Sequence, residues 1–423
     1  MRYGHRVTAI DHPSPPDWRR IVAAYWVTQL VESLGMSQVF ALMPAHLREL
    51  GLPDADRLAF VGVFSSLVFV LGLPLVPLWG VWADKVSRKA VIVRSAVVEA
   101  VVFGLAAAAH APWQMAVALM LVGLQLGNTG VMLAGIRDVA PRRRLGTIIA
   151  LFGVAGPVGM ALGPVLAGGL IDGAGWSISA VYGLSAVFSV GTALLVGFGT
   201  REIRPEVIPV GPVLRLAFGA VRGVLGDPDV RRLFAVYGVV FFATQVSRPY
   251  TPLLVEALVG TGPGLASGIA VVIGLGALIG ALVAPLAAGV GDRFGYRPVL
   301  LAALVVGGVA SLLMPLMPAV AGLLGASLLL GAAVATVTAM VFAMLATEVP
   351  AERRSATLNL VYLPLYLAGI IGPATGSVLA TTTGLPGPYV AGSAVFLLGA
   401  VAIARQRRRA SRVAVPTTSA PAG

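Results

Sequence analysis

Two carboxylates and one guanidinium stand inside stretches that are otherwise apolar: Glu32 in "WVTQLVESLGM", Glu99 in "VRSAVVEAVVFG" and Arg248 in "TQVSRPYTPLLVEAL". An ionisable side chain at the middle of a bilayer costs about 2.5–3.5 kcal/mol, so each such group is a functional candidate by default. A carboxylate there can bind and release a proton. An arginine cannot shed its proton and needs a partner or water. Glu32 and Glu99 are therefore the candidates for proton coupling, and Arg248 is a candidate for gating.

The elements that carry these groups follow from composition. The chain has 423 residues, 57% hydrophobic and 11% charged, with a mean hydropathy of +0.91. Soluble domains run at about 45–50% apolar with about a quarter of their residues charged. About 20 apolar residues cross the hydrocarbon as a helix. The sequence supplies such runs at 20–44, 58–82, 90–109, 113–136, 146–171 and 177–198, then at 233–257, 265–290, 298–317, 319–345, 355–381 and 388–404. The fold class expected is an all-α polytopic membrane protein with twelve spans. Its 52 glycines and 29 prolines would break helices in water but are tolerated in lipid, where small residues let helices approach. With no cysteine, disulfides and thiolate metal sites are excluded.

The organisation expected is a cytoplasmic lead (1–19), a six-helix bundle (20–198), a polar linker (199–232), a second bundle (233–404) and a basic, disordered tail (405–423). The lead has no cleavage pattern, so the first run is expected to stay as a span. Laid out this way, all but three of the 30 lysines and arginines fall on one face, the exceptions being Arg48, Arg57 and Arg248. Positive charge marks the cytoplasmic side, so both termini are expected there. The net charge of +12 is a topology signal and points to the bilayer, not to nucleic acid.

The two bundles repeat. An offset of 208 residues places Pro44 on Pro252, Pro77 on Pro285, Asp84 on Asp292, Lys85 on Arg293 and Lys89 on Arg297. An offset of 209 places Gly163 and Pro164 on Gly372 and Pro373. Two six-helix halves of this kind resemble the major facilitator architecture, with substrate bound between the halves. The loop "GVWADKVSRK" resembles the superfamily's signature between spans 2 and 3, with Gly80, Asp84, Lys85, Arg88 and Lys89 in place and Ser87 where glycine is usual. Its second copy keeps Asp292, Arg293, Gly295 and Arg297 but has Ala288 at the first position. The resemblance implies a conformational role: Asp84 would meet the start of span 11 near Ser355, and Asp292 the start of span 5 near Gly146, when the cytoplasmic side is closed.

"GMALGPVLAGG" in span 5, with Gly159, Gly163 and Pro164, resembles the pattern associated with exporters, although close packing alone also accounts for it. The chain as a whole is similar to twelve-span drug:proton antiporters. One departure is that "GLQLGNTG" puts Gly123 where those proteins carry an arginine in span 4, so that residue's role is not carried over. The resemblance implies efflux of hydrophobic or cationic small molecules, driven by the proton gradient without a cofactor, by a protein working as a monomer in the bacterial inner membrane. Gln29, Gln125, Asn128, Gln245, Asn359 and Tyr362 are the polar residues expected at the cavity. Glu32 and Arg248, on helices 1 and 7 at depths about one turn apart, are expected to pair when the outer side is shut.

Other chemistries fail on inventory. The only lysines, Lys85 and Lys89, follow Asp84 and Arg88, which rules out a Gly-Lys-Ser/Thr phosphate loop. The histidines, at 5, 12, 46 and 110, are expected outside the spans with no ligand cluster. No enzymatic activity is expected. A carrier for sugars or other metabolites and a non-transporting receptor or scaffold on the same fold are the alternatives.

Overall fold

The computed structural model describes residues 17–205, 208–348, 360 and 362–413, and every regular element among them is helical. The first half comprises α1 (Trp18–Glu49), α2 (Asp54–Lys85), α3 (Arg88–Ala107), α4 (Pro112–Val139), α5 (Arg142–Gly173) and α6 (Ile178–Gly199). A short helix, α7 (Val213–Leu225), lies in the connecting segment. The second half begins with α8 (Pro228–Gln245) and α9 (Thr251–Val259), joined through a 3-10 turn at Arg248–Tyr250. It continues with α10 (Leu265–Phe294), α11 (Tyr296–Leu316), α12 (Val320–Glu348), α13 (Tyr362–Thr383) and α14 (Pro386–Val413). Ten of these helices are long and apolar enough to cross a membrane. The two stretches expected as spans 1 and 7, α1 and α8–α9, are more polar, and they carry Glu32 and Arg248.

Three expectations change. The connecting segment holds the amphipathic α7, because "VLRLAFGAVRGVL" places its arginines seven residues apart, on one face of a helix. The last helix runs to Val413, since "RQRRRASR" is made largely of good helix formers. His46 lies within α1 and is buried, with its ring edge-on to Tyr182.

Glycine sets the closest packing. A Cβ on Gly159 would stand 2.3 Å from the Leu30 carbonyl, and one on Gly163 2.1 Å from Ser37 Oγ and 2.3 Å from the Leu34 carbonyl. The exporter-like stretch of α5 is thus a flat face pressed on the α1 backbone, where Gln38 Nε2 also donates to the Gly163 carbonyl at 3.2 Å. The repeat does the same: a Cβ on Gly372 would stand 2.8 Å from Gln245 Cβ, and one on Gly376 2.3 Å from the Val246 carbonyl.

The halves join through α2 with α13 and α5 with α10. Ser66 donates to the Ile370 carbonyl at 2.8 Å, Ser377 to the Ala59 carbonyl at 2.9 Å, and the Ser267 amide to Asp172 at 2.7 Å. Hydrogen bonds and ion pairs join the halves on the side away from the basic loops, here called the far end. The molecule is therefore closed at the far end.

Gly163→Ala is expected to lower thermal stability in detergent by about 1–3 kcal/mol, the usual cost of overpacking. Gly153→Ala, on the same helix with nothing within 4 Å of its Cβ position, should melt with the parent. Equal melting of both variants would contradict the packing role.

Candidate functional site

The two buried acids meet inside the first half. Glu32 on α1 and Glu99 on α3 are 9% and 2% exposed. A Cβ on Gly35, one turn beyond Glu32, would stand 3.4 Å from Glu99 Oε1, so Glu99 faces α1. The third wall is α4. Its helix ends at Leu121, passes through a 3-10 turn at Val122–Leu124, and restarts at Asn128 after Gly127 turns left-handed at φ 98°. Only glycine adopts that conformation readily. This break lies within "GLQLGNTG", and it brings Gln125 and Asn128, each 1% exposed, to the acids. Asn128 Nδ2 donates to Glu32 Oε2 at 2.8 Å. Gln125 is a polar neighbour of both carboxyls, and Ser189 on α6 of Glu99.

Breaking a helix frees carbonyls that lipid cannot satisfy. Here they are met by α3. Arg94 Nη2 donates to the carbonyls of Gln125 at 3.2 Å and Leu126 at 3.4 Å, and Ser95 Oγ donates to Gln125 O at 2.7 Å. The guanidinium lies 3.7 Å from the centre of the Trp79 ring, a cation–π contact. Arg94 counts among the loop charges in the sequence, yet it sits roughly 9 Å along α3. Arg248 is thus not the sole basic group within the spans.

Arg248 does not pair with Glu32, although the far end is closed. Its guanidinium lies 4.8 Å from the centre of the Phe40 ring. Phe40 is eight residues beyond Glu32, roughly 12 Å along α1, and Asn128 already holds Glu32 on the other side. The remaining polar candidates are dispersed. Gln29 Nε2 donates to Ser33 at 3.2 Å, and its Oε1 accepts from Thr129 at 3.0 Å. Gln245 packs on Gly372. Asn359 lies outside the described residues, and Tyr362 opens α13.

At the basic end the loop signature braces its own half. Arg88 donates to Asp84 through Nε at 3.0 Å and Nη2 at 2.9 Å, and also bonds Asp138 on α4. Lys89 Nζ donates to the Thr200 carbonyl at 2.8 Å, and Lys85 to that of Gly211. Ser87, at the position where glycine is usual, caps α3 by accepting from the Ala90 amide at 2.9 Å. Glu202 accepts from Ser87 Oγ and, at 2.9 Å, from the Arg88 amide, placing a carboxylate on the positive end of the helix dipole. The Gly80 position is open, with nothing within 4 Å of where a Cβ would stand. The partner expected for Asp84 near Ser355 lies outside the described residues. Asp292 accepts from Tyr296 at 2.7 Å rather than meeting α5, Arg293 lies over Phe294, and Gly295 makes the turn into α11 at φ 89°. Arg297 is in the first turn of α11.

The far end carries a cluster that sequence reading missed. Glu256 on α9 accepts from Arg48 at 3.0 Å and from both Nη atoms of Arg57, at 3.1 and 2.8 Å. The arginines belong to the first half and the carboxylate to the second, so the three form a latch. It borders a cavity of about 240 Å³ lined by Asp54, Leu58, Leu253 and Leu385 among others. The sequence held a clue: Arg48 and Glu256 are 208 residues apart, the offset of the repeat.

Two repeated helical halves, joined at one end and carrying buried charge within, define a secondary-active membrane transporter. The sequence matches the family model of the Major Facilitator Superfamily over residues 25–289 and 233–422, and the chain belongs to that superfamily. It is 31% identical over 303 residues to the multidrug resistance protein MdtG of Citrobacter koseri, covering 69% of this chain and 71% of the relative. It is 28% identical over 415 residues to the protein of that name from Enterobacter lignolyticus, covering 95% and 96%. Among solved structures it is similar to a bacterial homologue of the human lysosomal transporter Spinster, in an inward-facing and occupied conformation (TM-score 0.77, 14% identity, 94% and 98% covered). It is also similar to the human organic anion transporter MFSD10 (TM-score 0.67, 19% identity, 92% and 100% covered).

Glu256→Gln leaves two arginines facing each other without their carboxylate, and the far end is expected to open. A cysteine at Leu58, in a chain that has no other, should then react with a maleimide roughly fivefold faster or more, the lower end of a coupling of about 1 kcal/mol. An unchanged rate would show that the latch does not hold the gate.

Proposed function

We propose that the protein exports hydrophobic small molecules, lipophilic cations among them, in exchange for protons by alternating access. It works in a bacterial inner membrane, with both termini and the basic loops on the cytoplasmic side. The observation that carries this reading is the pair of buried carboxyls, Glu32 and Glu99, set against the polar break of α4. Two like charges in one buried site repel, so holding a proton on one of them is favoured over ionising both. The names of the relatives, and the close α5–α1 packing built on Gly159, Gly163 and Pro164, support the direction of transport.

The halves are proposed to be the moving bodies, bundles 20–198 and 233–404 linked by 199–232. With the latch closed, the site is open to the cytoplasm and can load substrate. Release of the proton inward and binding of a cationic or neutral drug would let the basic end close, where Asp84 is proposed to exchange Arg88 for the start of span 11 near Ser355. Neutralising the acids from outside would then reset the cycle. The two bundles suffice for this cycle, so a monomer is proposed as the working unit. No cofactor or catalytic step is invoked.

Glu32→Gln and Glu99→Gln, each mimicking a permanently protonated acid, test the reading in proteoliposomes. A pH gradient should drive accumulation of a lipophilic cation by the parent protein. In either variant this uphill transport should fall to the level of protein-free liposomes while downhill flux persists. Normal uphill transport by both variants would overturn the assignment of the proton to this pair. Uphill uptake of sugars, but of no lipophilic compound, would overturn the substrate class.

A further inference from the structure

The acid pair contains oxygen acceptors that no donor around them reaches. Glu99 Oε1, Gln125 Oε1 and Asn128 Oδ1 have no hydrogen-bond partner, and their residues are 2%, 1% and 1% exposed. A buried acceptor left unpaired costs about 1–3 kcal/mol, and three in one cluster call for an explanation.

The hydroxyls and the Asn128 amide around the cluster are already engaged, Gln125 Nε2 beside the two carboxyls cannot serve its own Oε1, and Arg94 Nε and Nη1, themselves without partners, do not reach these oxygens. Asn128 Nδ2 serves Glu32 at 2.8 Å, so turning its oxygen into a donor would forfeit that bond. Ser189 Oγ donates to the Ser185 carbonyl at 2.9 Å, Ser185 Oγ to Gln38 at 2.5 Å, and Ser95 Oγ to Gln125 O at 2.7 Å. Charge is out of balance as well. The ionisable groups around the cluster are Glu32 on α1 and Glu99 and Arg94 on α3; α4 and α6 add only amides and hydroxyls there. With both acids ionised, two negative charges face one guanidinium, and that guanidinium is held by Trp79 and the carbonyls of the α4 break.

We propose that Glu32, Glu99, Gln125 and Asn128 form a binding site for one alkali-metal cation, which competes there with the proton. Carboxylate and amide oxygens are hard ligands suited to hard cations. A single positive charge neutralises the cluster, whereas a divalent ion would leave it in surplus. The inference deepens the ion-coupling reading above and rests on it for the site's role, though not for its occupancy.

The test uses purified full-length protein in detergent without substrate. Melting temperature is followed as NaCl or KCl replaces choline chloride at constant ionic strength, at pH 8.5 and at pH 6. A ligand that binds the folded state alone stabilises it with saturation. The expected result is a saturable rise at pH 8.5 with sodium or potassium, the more effective ion identifying the preferred cation. The rise should shrink at pH 6, where protons fill the site, and vanish in Glu99→Gln and in Asn128→Leu. Equal melting in the alkali salts and in choline would overturn the proposal, as would an undiminished rise in both variants. Should the variants fail to fold, retention of radioactive sodium or rubidium by the parent protein at pH 8.5 decides, and absence of saturable, acid-displaced binding overturns it. Proton-driven transport in buffers free of sodium and potassium is measured separately, so a failure here is distinguishable from a failure of the coupling reading.

Discussion

Two carboxyl groups share one buried site within the first half, and much of the local architecture follows from that constraint. Uncompensated charges in a low-dielectric interior are among the costliest features a fold can hold. The surroundings answer with polarity brought from every side. The break in α4 turns Gln125 and Asn128 toward the acids, and Gly127 makes the break possible. The break in turn exposes carbonyls, and these fix Arg94 and Ser95 of α3. Arg94 needs a second face covered, and Trp79 of α2 supplies it. Four helices are thereby registered on one another by polar contacts, in a protein whose other contacts are largely apolar and undirected.

The glycine faces complement this. Lipid offers no hydrophobic drive for one helix to seek another, so intimate packing depends on small residues. Both central helices, α1 and α8, receive a neighbour that reads Gly-x-x-x-Gly or close to it, and both contacts run toward the far end. Where α8 passes into α9 the chain bends through Arg248–Tyr250, whereas α1 continues as a helix through Pro44. The two halves are thus alike in packing but differ in the backbone path of their central helix.

The sequence carried the architecture well, because hydropathy and charge asymmetry are long-range patterns that survive without coordinates. The spans at 90–109 and 265–290 lie within a few residues of α3 and α10. The isolated charges were legible for the same reason: Glu32 and Glu99 stand out against leucine and valine. Their partners were not. Arg94 sits at the start of an apolar run and reads as a loop charge until α3 is placed against the broken α4. Gly123 drew notice as a missing arginine, whereas the informative residue was Gly127, whose left-handed backbone no pattern announced. Glu256 escaped for a simpler reason: near a span end a lone carboxylate is ordinary, and its meaning depends on two arginines about 200 residues away.

Arg48 and Glu256 occupy equivalent positions of the two repeats and touch across the interface between them. Positions related by an approximate two-fold axis meet each other only when they lie close to that axis, where each half sees the image of itself. A molecule assembled from two copies of the first half would set arginine against arginine at this point, and one from two copies of the second would set glutamate against glutamate. Opposite charges at a self-facing position therefore make the halves mutually selective. The pairing distinguishes the proper neighbour within one chain from a like half offered by another, so one ion pair can both fasten the interface and guard the identity of its two sides.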